Sequence, residues 1–284
     1  DISSEAGEKR VGIARIHIEE DAGKLVHDGT RGTMIDLNRC GVPLIEIVSE
    51  PDMRSSGEAV AYLKKLRSIA LWAGISDAKM NEGSLRCDVN VSVREKGTEK
   101  LGTRAEIKNL NSFAFVAKAI EYEFRRQVEA LEAGEGIVQE TRRFDPASGK
   151  TYPMRSKENA DDYRYFPDPD LMPVSIDEAK LLRIAASIPP LPDARKRVYM
   201  EQYGLSACHS EQLVLEKAMS DFFDEAAVRT QHRQILASLT LSELARLMNE
   251  AEGERIALAP SQLAAVADML GASRVNAGGA KKLV

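Results

Sequence analysis

Apolar residues recur at every second position in the first part of this chain and at every third or fourth position in its last third. Between Leu85 and Val93 each odd-numbered residue is apolar and each even-numbered residue is polar, which is the pattern of a strand with one buried face. After Pro173, short stretches with helical spacing follow one another and are separated by prolines and glycines. The pattern therefore predicts a sheet in the first part of the chain and an all-helical last part.

Two long helices interrupt the predicted strands of the first part. One begins at a capping sequence at Ser55, and the other follows Ser112. The apolar stripe predicted for the second helix consists of Phe113, Ala117, Ile120, Phe124, Val128 and Leu131. Because strands and helices do not alternate regularly, we expect an α+β fold with a largely antiparallel sheet. We predict three domains, at residues 1–173, 174–235 and 236–284, of which the last two are helical.

Charge and composition argue against several classes of protein. The 284 residues include 39 Lys and Arg against 44 Asp and Glu, a net charge of −5, so any nucleic-acid contact must come from a local patch. No apolar run approaches the ~20 residues that span a bilayer, and the first residues lack a signal-peptide pattern. The three cysteines are widely spaced, which is typical of a reducing compartment. We therefore expect a cytoplasmic protein.

Common nucleotide, metal and nucleophile motifs are missing from the sequence. The candidate functional residues are instead carboxylates within predicted strands. Glu46 interrupts an apolar run, and Glu20 ends another. A carboxylate in an apolar strand is costly unless it is paired, hydrogen-bonded or bound to a cation. Oxygen ligands carried on several strands suit Mg²⁺. The alternative, a solvent-facing or ion-paired carboxylate, is the commoner role of such residues, and both interpretations stay open at this point.

Basic and polar side chains accompany these carboxylates. Arg86 and Asp88 share the polar face of one predicted strand, Lys108 lies in the next, and Lys79 and Arg104 are near them in the sequence. Lys and Arg side chains can hold phosphate oxygens. The alternative is a solvated sheet face with cross-strand charge pairs.

One further segment is unusual in composition. Residues 161–170 combine three aromatic residues, two prolines and four aspartates. They predict either a rigid loop that is anchored in the core by its aromatic rings or a loop that presents Arg164 to an anionic ligand.

Several long strings resemble one known family, the B subunit of bacterial aspartyl/glutamyl-tRNA amidotransferases. The strings are HIEEDAGK at residues 17–24, DLNR at 36–39, PLIEIVSEPD at 43–52, NEGSLRCDVNVS at 81–92, EIKNLNS at 106–112 and DYRYFP at 162–167. The resemblance extends from about residue 11 to about residue 223, and it is weaker after residue 227. It implies a cradle domain with a glutamine-synthetase-like fold, then a helical domain and the start of a helical tail domain.

The resemblance also implies a reaction. The side-chain carboxylate of misacylated Glu-tRNA(Gln) or Asp-tRNA(Asn) is phosphorylated by ATP with Mg²⁺, and ammonia then displaces phosphate. The ammonia comes from glutamine that the A subunit hydrolyses, and a C subunit completes the heterotrimer. The implied chemistry is reasonable, because a carboxylate is a poor acyl donor until phosphorylation gives it a leaving group.

We assign site residues on both grounds. The resemblance implies that Glu20 and Glu46 hold the metal ion. The residues that we assign to catalysis are Glu20, Glu46, Arg86, Asp88 and Lys108. Those that we assign to nucleotide binding are Lys79, Arg86 and Arg164.

The family's N-terminal strand, which supplies a Glu and a His to the metal site, has no counterpart in this sequence, and the distal tail is also missing. We therefore expect this chain alone to be inactive. Two alternatives stay open: a non-catalytic tRNA-binding scaffold, and a small-molecule ATP-dependent amide ligase that needs no RNA.

Three structural expectations follow. Glu20 and Glu46 lie close together on one face. Arg86, Asp88 and Asn90 face the same cleft, opposite Cys87 and its apolar neighbours. The region after about residue 210 binds tRNA, with contacts from Arg274, Lys281 and Lys282.

Overall fold

The computed structural model describes residues 1–28, 32–154, 170, 172–251 and 256–284. These residues divide into two compact units, one made of residues 1–65 and 80–154 and the other of residues 66–79, 170, 172–251 and 256–284. All described strands lie in the first unit. The predicted mixture of α and β structure followed by helices is therefore confirmed. Among the described residues, no helix is long and apolar enough to cross a membrane.

The strands of the first unit form small sheets. They are β1 (Ile2–Ser4), β2 (Gly7–Lys9), β3 (Ile13–Glu20), β4 (Lys24–Asp28), β5 (Gly32–Asp36), β6 (Pro43–Ser49), β7 (Val89–Val91), β8 (Ala105–Lys108), β9 (Thr141–Asp145) and β10 (Lys150–Pro153). β1 pairs with β2, β3 with β6 and β4 with β5 in two-stranded antiparallel ribbons. The other four strands form a sheet in the order β10, β9, β8, β7, whose central β8–β9 pair is parallel. The prediction of a largely antiparallel sheet is thus confirmed.

The strand predicted from Leu85 to Val93 is shorter in the structure, because only Val89–Val91 pairs with a neighbour, β8. The predicted alternation of exposure nevertheless extends beyond the paired residues. Arg86, Asp88 and Asn90 are exposed. Cys87 and the two valines of β7 are half-buried and pack against the core of the first unit. The parity prediction is therefore confirmed, although these apolar side chains are only partly enclosed.

Two long helices lie where the sequence predicted them. They are α1 (Ser56–Trp72) and α2 (Phe113–Glu132). The Ser112 hydroxyl accepts a hydrogen bond from the Phe115 amide at the start of α2, as its position predicts. Gly134, with a φ of 76°, follows the end of α2 and adopts the left-handed conformation that glycine favours. The core of the first unit consists of Leu63, Ile107, Leu110, Val116, Ala119 and Phe144.

The apolar stripe predicted for α2 is confirmed only in part, because Phe113 and Ile120 pack against the core of the first unit. The buried residues of this helix are Val116, Ala119, Glu123 and Gln127, whereas Phe124 is 50% exposed. The buried face includes a carboxylate because Glu123 accepts hydrogen bonds from Arg126, Gln127 and Thr151. Burial alone raises the pKa of Glu123, but these hydrogen bonds outweigh burial and leave the pKa lowered.

The second unit is built from short helices. They are α3 (Glu178–Ser187), α4 (Pro192–Glu201), α5 (Ala207–Leu213), α6 (Lys217–Ala227), α7 (Arg233–Leu239), α8 (Ala245–Glu250), α9 (Pro260–Gly271) and α10 (Ala277–Leu283). A π-helical turn, Thr240–Leu244, joins α7 to α8. The helical spacing of residues 210–227 predicts a single helix there, but α5 and α6 are separate in the structure. The break between them lets the consecutive residues Leu213 and Val214 both enter the core.

Helices from both predicted helical domains contribute to one hydrophobic core. Leu213 and Phe223 come from the predicted helical domain, and Leu236, Leu244 and Leu263 come from the predicted tail. The predicted boundary after residue 235 lies inside α7. The division into three domains stays a prediction.

Candidate functional site

The ribbon of β3 and β6 carries the two carboxylates that the sequence singled out. In its register His17 lies opposite Glu46, and Glu20 lies opposite Pro43. Side chains alternate between the two faces of a ribbon, so Glu46 shares a face with His17 and Glu19. Glu20 lies on the opposite face, with Ile18.

The prediction that Glu20 and Glu46 share one site is therefore wrong. The two residues are three positions apart along the paired strands, and an odd offset places side chains on opposite faces. The face of Glu20 carries four exposed isoleucines, Ile16, Ile18, Ile45 and Ile47. Glu46 itself is not enclosed, because 53% of its side chain is exposed.

The structure instead brings His17, Glu19 and Glu46 together. Each offers one ligand atom, and these atoms lie within 4.8 Å of one another. The His17 Nδ1 atom is 3.3 Å from a Glu46 oxygen and 3.9 Å from a Glu19 oxygen. Mg²⁺ requires only one or two protein carboxylates when waters and phosphates complete its shell. The two carboxylates are therefore candidate ligands for a divalent cation, and His17 can hydrogen-bond to them.

A second polar group lies at the edge of the four-stranded sheet. Lys108 in β8 is opposite Asp88, which precedes β7, and its Nζ atom is 2.7 Å from an Asp88 oxygen. Lys108 also lies 3.7 Å from Glu106. Arg86, two residues before Asp88, pairs with Asp21 at 3.0 Å. Arg86 and Asp88 are thus exposed, and Lys108 is half-buried beside Asp88. The catalytic roles of the three residues stay predictions.

The other two residues that we assigned to nucleotide binding are Lys79 and Arg164. Lys79 belongs to the second unit and lies 3.8 Å from Asp77. Arg164, with most of the segment 161–170, lies outside the described residues. Their roles stay predictions.

Sequence reasoning missed Glu19, His17 and Asp21 as site residues. Glu19 and His17 have the same parity along β3, a signal that points to a shared face. The register of β3 against β6 decides whether Glu19 or Glu20 shares a face with Glu46. This register cannot be deduced from the spacing of residues in the sequence.

Cys87 provides a direct test of the two faces of this strand. Burial, with a smaller effect of Asp88, raises the pKa of the Cys87 thiol to about 12, whereas Cys40 and Cys208 are exposed. Because the thiolate is the reactive form, we expect iodoacetamide at pH 8 to modify Cys87 at least about 100-fold more slowly than the other two. Mass spectrometry of the alkylated full-length protein measures the three rates. Equal rates would show that Cys87 faces solvent.

Comparisons with known proteins agree with the resemblance. Residues 1–182 match the family model described as the GatB/GatE catalytic domain. The whole chain is 50% identical to the B subunit of the aspartyl/glutamyl-tRNA(Asn/Gln) amidotransferase of Anaeromyxobacter sp. (strain Fw109-5) and 48% identical to that of Halalkalibacterium halodurans, and it covers 60% of each. The chain is 52% identical to the same subunit of Thioalkalivibrio sulfidiphilus over an aligned region that covers 95% of the chain and 57% of the relative. The chain thus spans about three fifths of the length of these relatives.

Proposed function

Because this chain belongs to the GatB/GatE catalytic domain family, we propose that the longer protein is a subunit of a cytoplasmic tRNA-dependent amidotransferase. Its substrate is Glu-tRNA(Gln) or Asp-tRNA(Asn), and its partners are an A subunit that releases ammonia from glutamine and a C subunit. The observation that carries this proposal is the identity of about half of all residues to relatives of that name. The cradle, helical and tail domains of the family are part of the same proposal.

The proposed reaction has two steps. The γ-phosphoryl group of ATP is transferred to the side-chain carboxylate of the misacylated tRNA. Ammonia then attacks the carbonyl carbon, the bond to the bridging oxygen breaks, and phosphate leaves. A bound Mg²⁺ ion would neutralise the negative charge that develops on the transferred phosphoryl group. Glu46 and Glu19, rather than Glu20, are the residues that would hold it, and this choice is supported by their common face.

We propose that two cationic side chains on the polar face beside β7 and β8 bind phosphate oxygens. Lys108 is half-buried and is held in place by Asp88 at 2.7 Å. The Arg86 guanidinium is 45% exposed beside Asp21. Fixed cations that face a transferring phosphoryl group stabilise it without reorganising during the reaction. We therefore assign phosphate binding to Arg86 and Lys108, and the positioning of Lys108 to Asp88.

The test of the proposed function is an amidation assay. The full-length protein, co-expressed with its partner subunits, is given glutamine, ATP, Mg²⁺ and each misacylated tRNA in turn. The proposal predicts glutaminyl- or asparaginyl-tRNA that depends on ATP. Amide formation on free glutamate after RNase treatment would favour the small-molecule ligase instead.

Basic residues at the end of the chain are the proposed tRNA contacts. Arg274, Lys281 and Lys282 are exposed, and Lys281 lies 3.4 Å from Glu243. We expect the double change Arg274→Ala with Lys282→Ala to raise the KM for misacylated tRNA about 3- to 10-fold. The slope of the logarithm of the binding constant against the logarithm of salt concentration should decrease by the equivalent of about two phosphate contacts. Kinetics at several salt concentrations measure both effects, and an unchanged KM and salt slope would contradict the assignment.

Point substitutions suit this test better than a deletion after residue 230. Such a deletion removes Leu236, Leu244 and Leu263 from the core of the second unit. It would unfold the remaining helices, and a loss of tRNA binding would then say nothing about contacts.

A further inference from the structure

Asp21 lies where three loops of the first unit meet. Its carboxylate is only 12% exposed, and its Oδ2 atom is 3.0 Å from Nη2 of Arg86 and 3.7 Å from Nε of Arg39. Its Oδ1 atom accepts a hydrogen bond from the Ala22 amide. One oxygen thus faces two guanidiniums while the other is held by the backbone.

The backbone around Asp21 fixes its position. The Asp21 amide donates to the Val42 carbonyl, and the Gly41 amide donates to the Asp21 carbonyl. These two bonds tie the end of β3 to the loop that follows Arg39. The backbone of Asp21 is therefore held against the loop that follows one of its two arginines.

The loop before Arg86 also approaches Arg39 closely. Gly83 has a φ of +81°, and a Cβ atom at this position would lie 3.1 Å from Nη1 of Arg39. A side chain here would be strained by its backbone conformation and would crowd the guanidinium. The absence of a side chain at residue 83 lets Arg39 lie against this loop.

The charges of this group leave it positive. Two guanidiniums around one carboxylate have a formal charge of +1, and the side chains of Arg39 and Arg86 are 41% and 45% exposed. Each guanidinium has five N–H donors in a planar fork that matches phosphate oxygens. Without the carboxylate, the two cations would repel each other.

We propose that Asp21 is a positioning residue that holds Arg39 and Arg86 as a paired anion site for a phosphate group of the nucleotide. Neither Asp21 nor Arg39 was singled out for this role by the sequence. The inference rests on the proposed function, since ATP is the phosphate donor there. Asp21 acts through the arginines and does not touch the nucleotide.

Equilibrium binding of ATP, inorganic triphosphate and adenosine to the full-length protein with its partner subunits tests this site. We expect Arg39→Ala to raise the Kd of ATP and of triphosphate at least about tenfold, because a charge-assisted hydrogen bond is lost. Arg39→Lys keeps the charge and restores part of the affinity. Adenosine, which has no phosphate, binds within about twofold of its original affinity. Arg10→Ala, which removes an exposed arginine that pairs with Asp1, serves as the control.

Asp21→Asn separates positioning from a structural role. Asparagine keeps an acceptor for the Ala22 amide but removes the charge that attracts the arginines, so we expect the Kd of triphosphate to rise about three- to tenfold. In protein that already carries Arg39→Ala and Arg86→Ala, Asp21→Asn has no further effect on this Kd. If Asp21 had only a structural role, Asp21→Asn would weaken triphosphate binding in that background as well.

The outcomes distinguish the inference from the proposed function. If the unchanged complex forms amide and the Arg39→Ala protein binds ATP with wild-type affinity, the proposed anion site is refuted and the proposed function is kept. Equal weakening of adenosine and ATP by Asp21→Asn would also refute the proposed anion site. If the unchanged complex neither binds ATP nor forms amide, both proposals fail.

Discussion

We expect Glu46→Gln in the full-length protein, assembled with its proposed partner subunits, to lower the rate of ATP-dependent amidation at least about 100-fold. The carboxylate lies with Glu19 and His17 on one face of the β3–β6 ribbon, and glutamine cannot neutralise a cation there. A metal ion contributes several kcal/mol of charge stabilisation in such a reaction, and about 1.4 kcal/mol corresponds to tenfold in rate. Amide formation under saturating substrates measures the effect.

Three further variants make this result specific. Glu19→Gln should cause a loss of the same order, whereas Glu20→Gln, on the opposite face, should cause a much smaller one. Glu8→Gln changes an exposed glutamate of β2 in the same unit and serves as the control. Misacylated tRNA should still bind the Glu46→Gln protein. Unchanged amidation in that protein would favour the non-catalytic scaffold.

Glu123→Ala produces the largest loss of stability that we predict in the first unit, about 3–5 kcal/mol. Glu123 is fully buried and accepts hydrogen bonds from Arg126, Gln127 and Thr151. Arg142, also buried, lies 3.3 Å from the same carboxylate. Alanine leaves these donors without their acceptor and leaves a buried guanidinium with less compensating charge. Native-state hydrogen exchange of the α2 and β9 amides in the full-length protein measures the local free energy of opening.

Glu129→Ala, at an exposed position of the same helix, controls for helix propensity and should change this free energy by less than about 0.5 kcal/mol. The effect of Glu123 also depends on pH. Its folded-state pKa is lowered from 4.5, so its contribution is complete above that value and is lost as pH falls through the folded-state pKa. The difference between wild type and Glu123→Gln should therefore shrink in acid. A constant difference would show that the charge does not matter.

Features that depend on local spacing were predictable from the sequence. The alternation of exposed and half-buried residues around Cys87 and the helix start at Ser112 both appear in the structure. Each follows from the geometry of a few neighbouring residues, because a strand alternates its faces and a helix start needs a particular acceptor.

Features that depend on pairing between distant segments were not predictable. The sequence places Glu19 and Glu20 next to each other, and only the register of β3 against β6 decides which one shares a face with Glu46. The group of Asp21, Arg39 and Arg86 joins three loops from separate parts of the chain. Their spacing carries no signal of this contact.

The buried face of α2 shows a third reason. A hydrophobic stripe predicts the face that lacks charge, but the face that is buried carries Glu123 and Gln127. Arg142 and Thr151, which are partners of Glu123, lie in β9 and β10, and the polar network becomes favourable only when those strands are in place. Hydrophobic periodicity alone therefore predicted a face of this helix that is displaced by one residue from the buried one.

The origin of the oxygen in the released phosphate tests the central claim most directly. Misacylated tRNA whose side-chain carboxylate contains ¹⁸O is converted by the full-length complex with glutamine, ATP and Mg²⁺, and the phosphate is analysed by mass spectrometry. If the carboxylate is phosphorylated and ammonia displaces the phosphate, one carboxylate oxygen leaves with each phosphate formed. The account predicts ¹⁸O in phosphate in proportion to the amide. Unlabelled phosphate, or ¹⁸O in AMP, would contradict it.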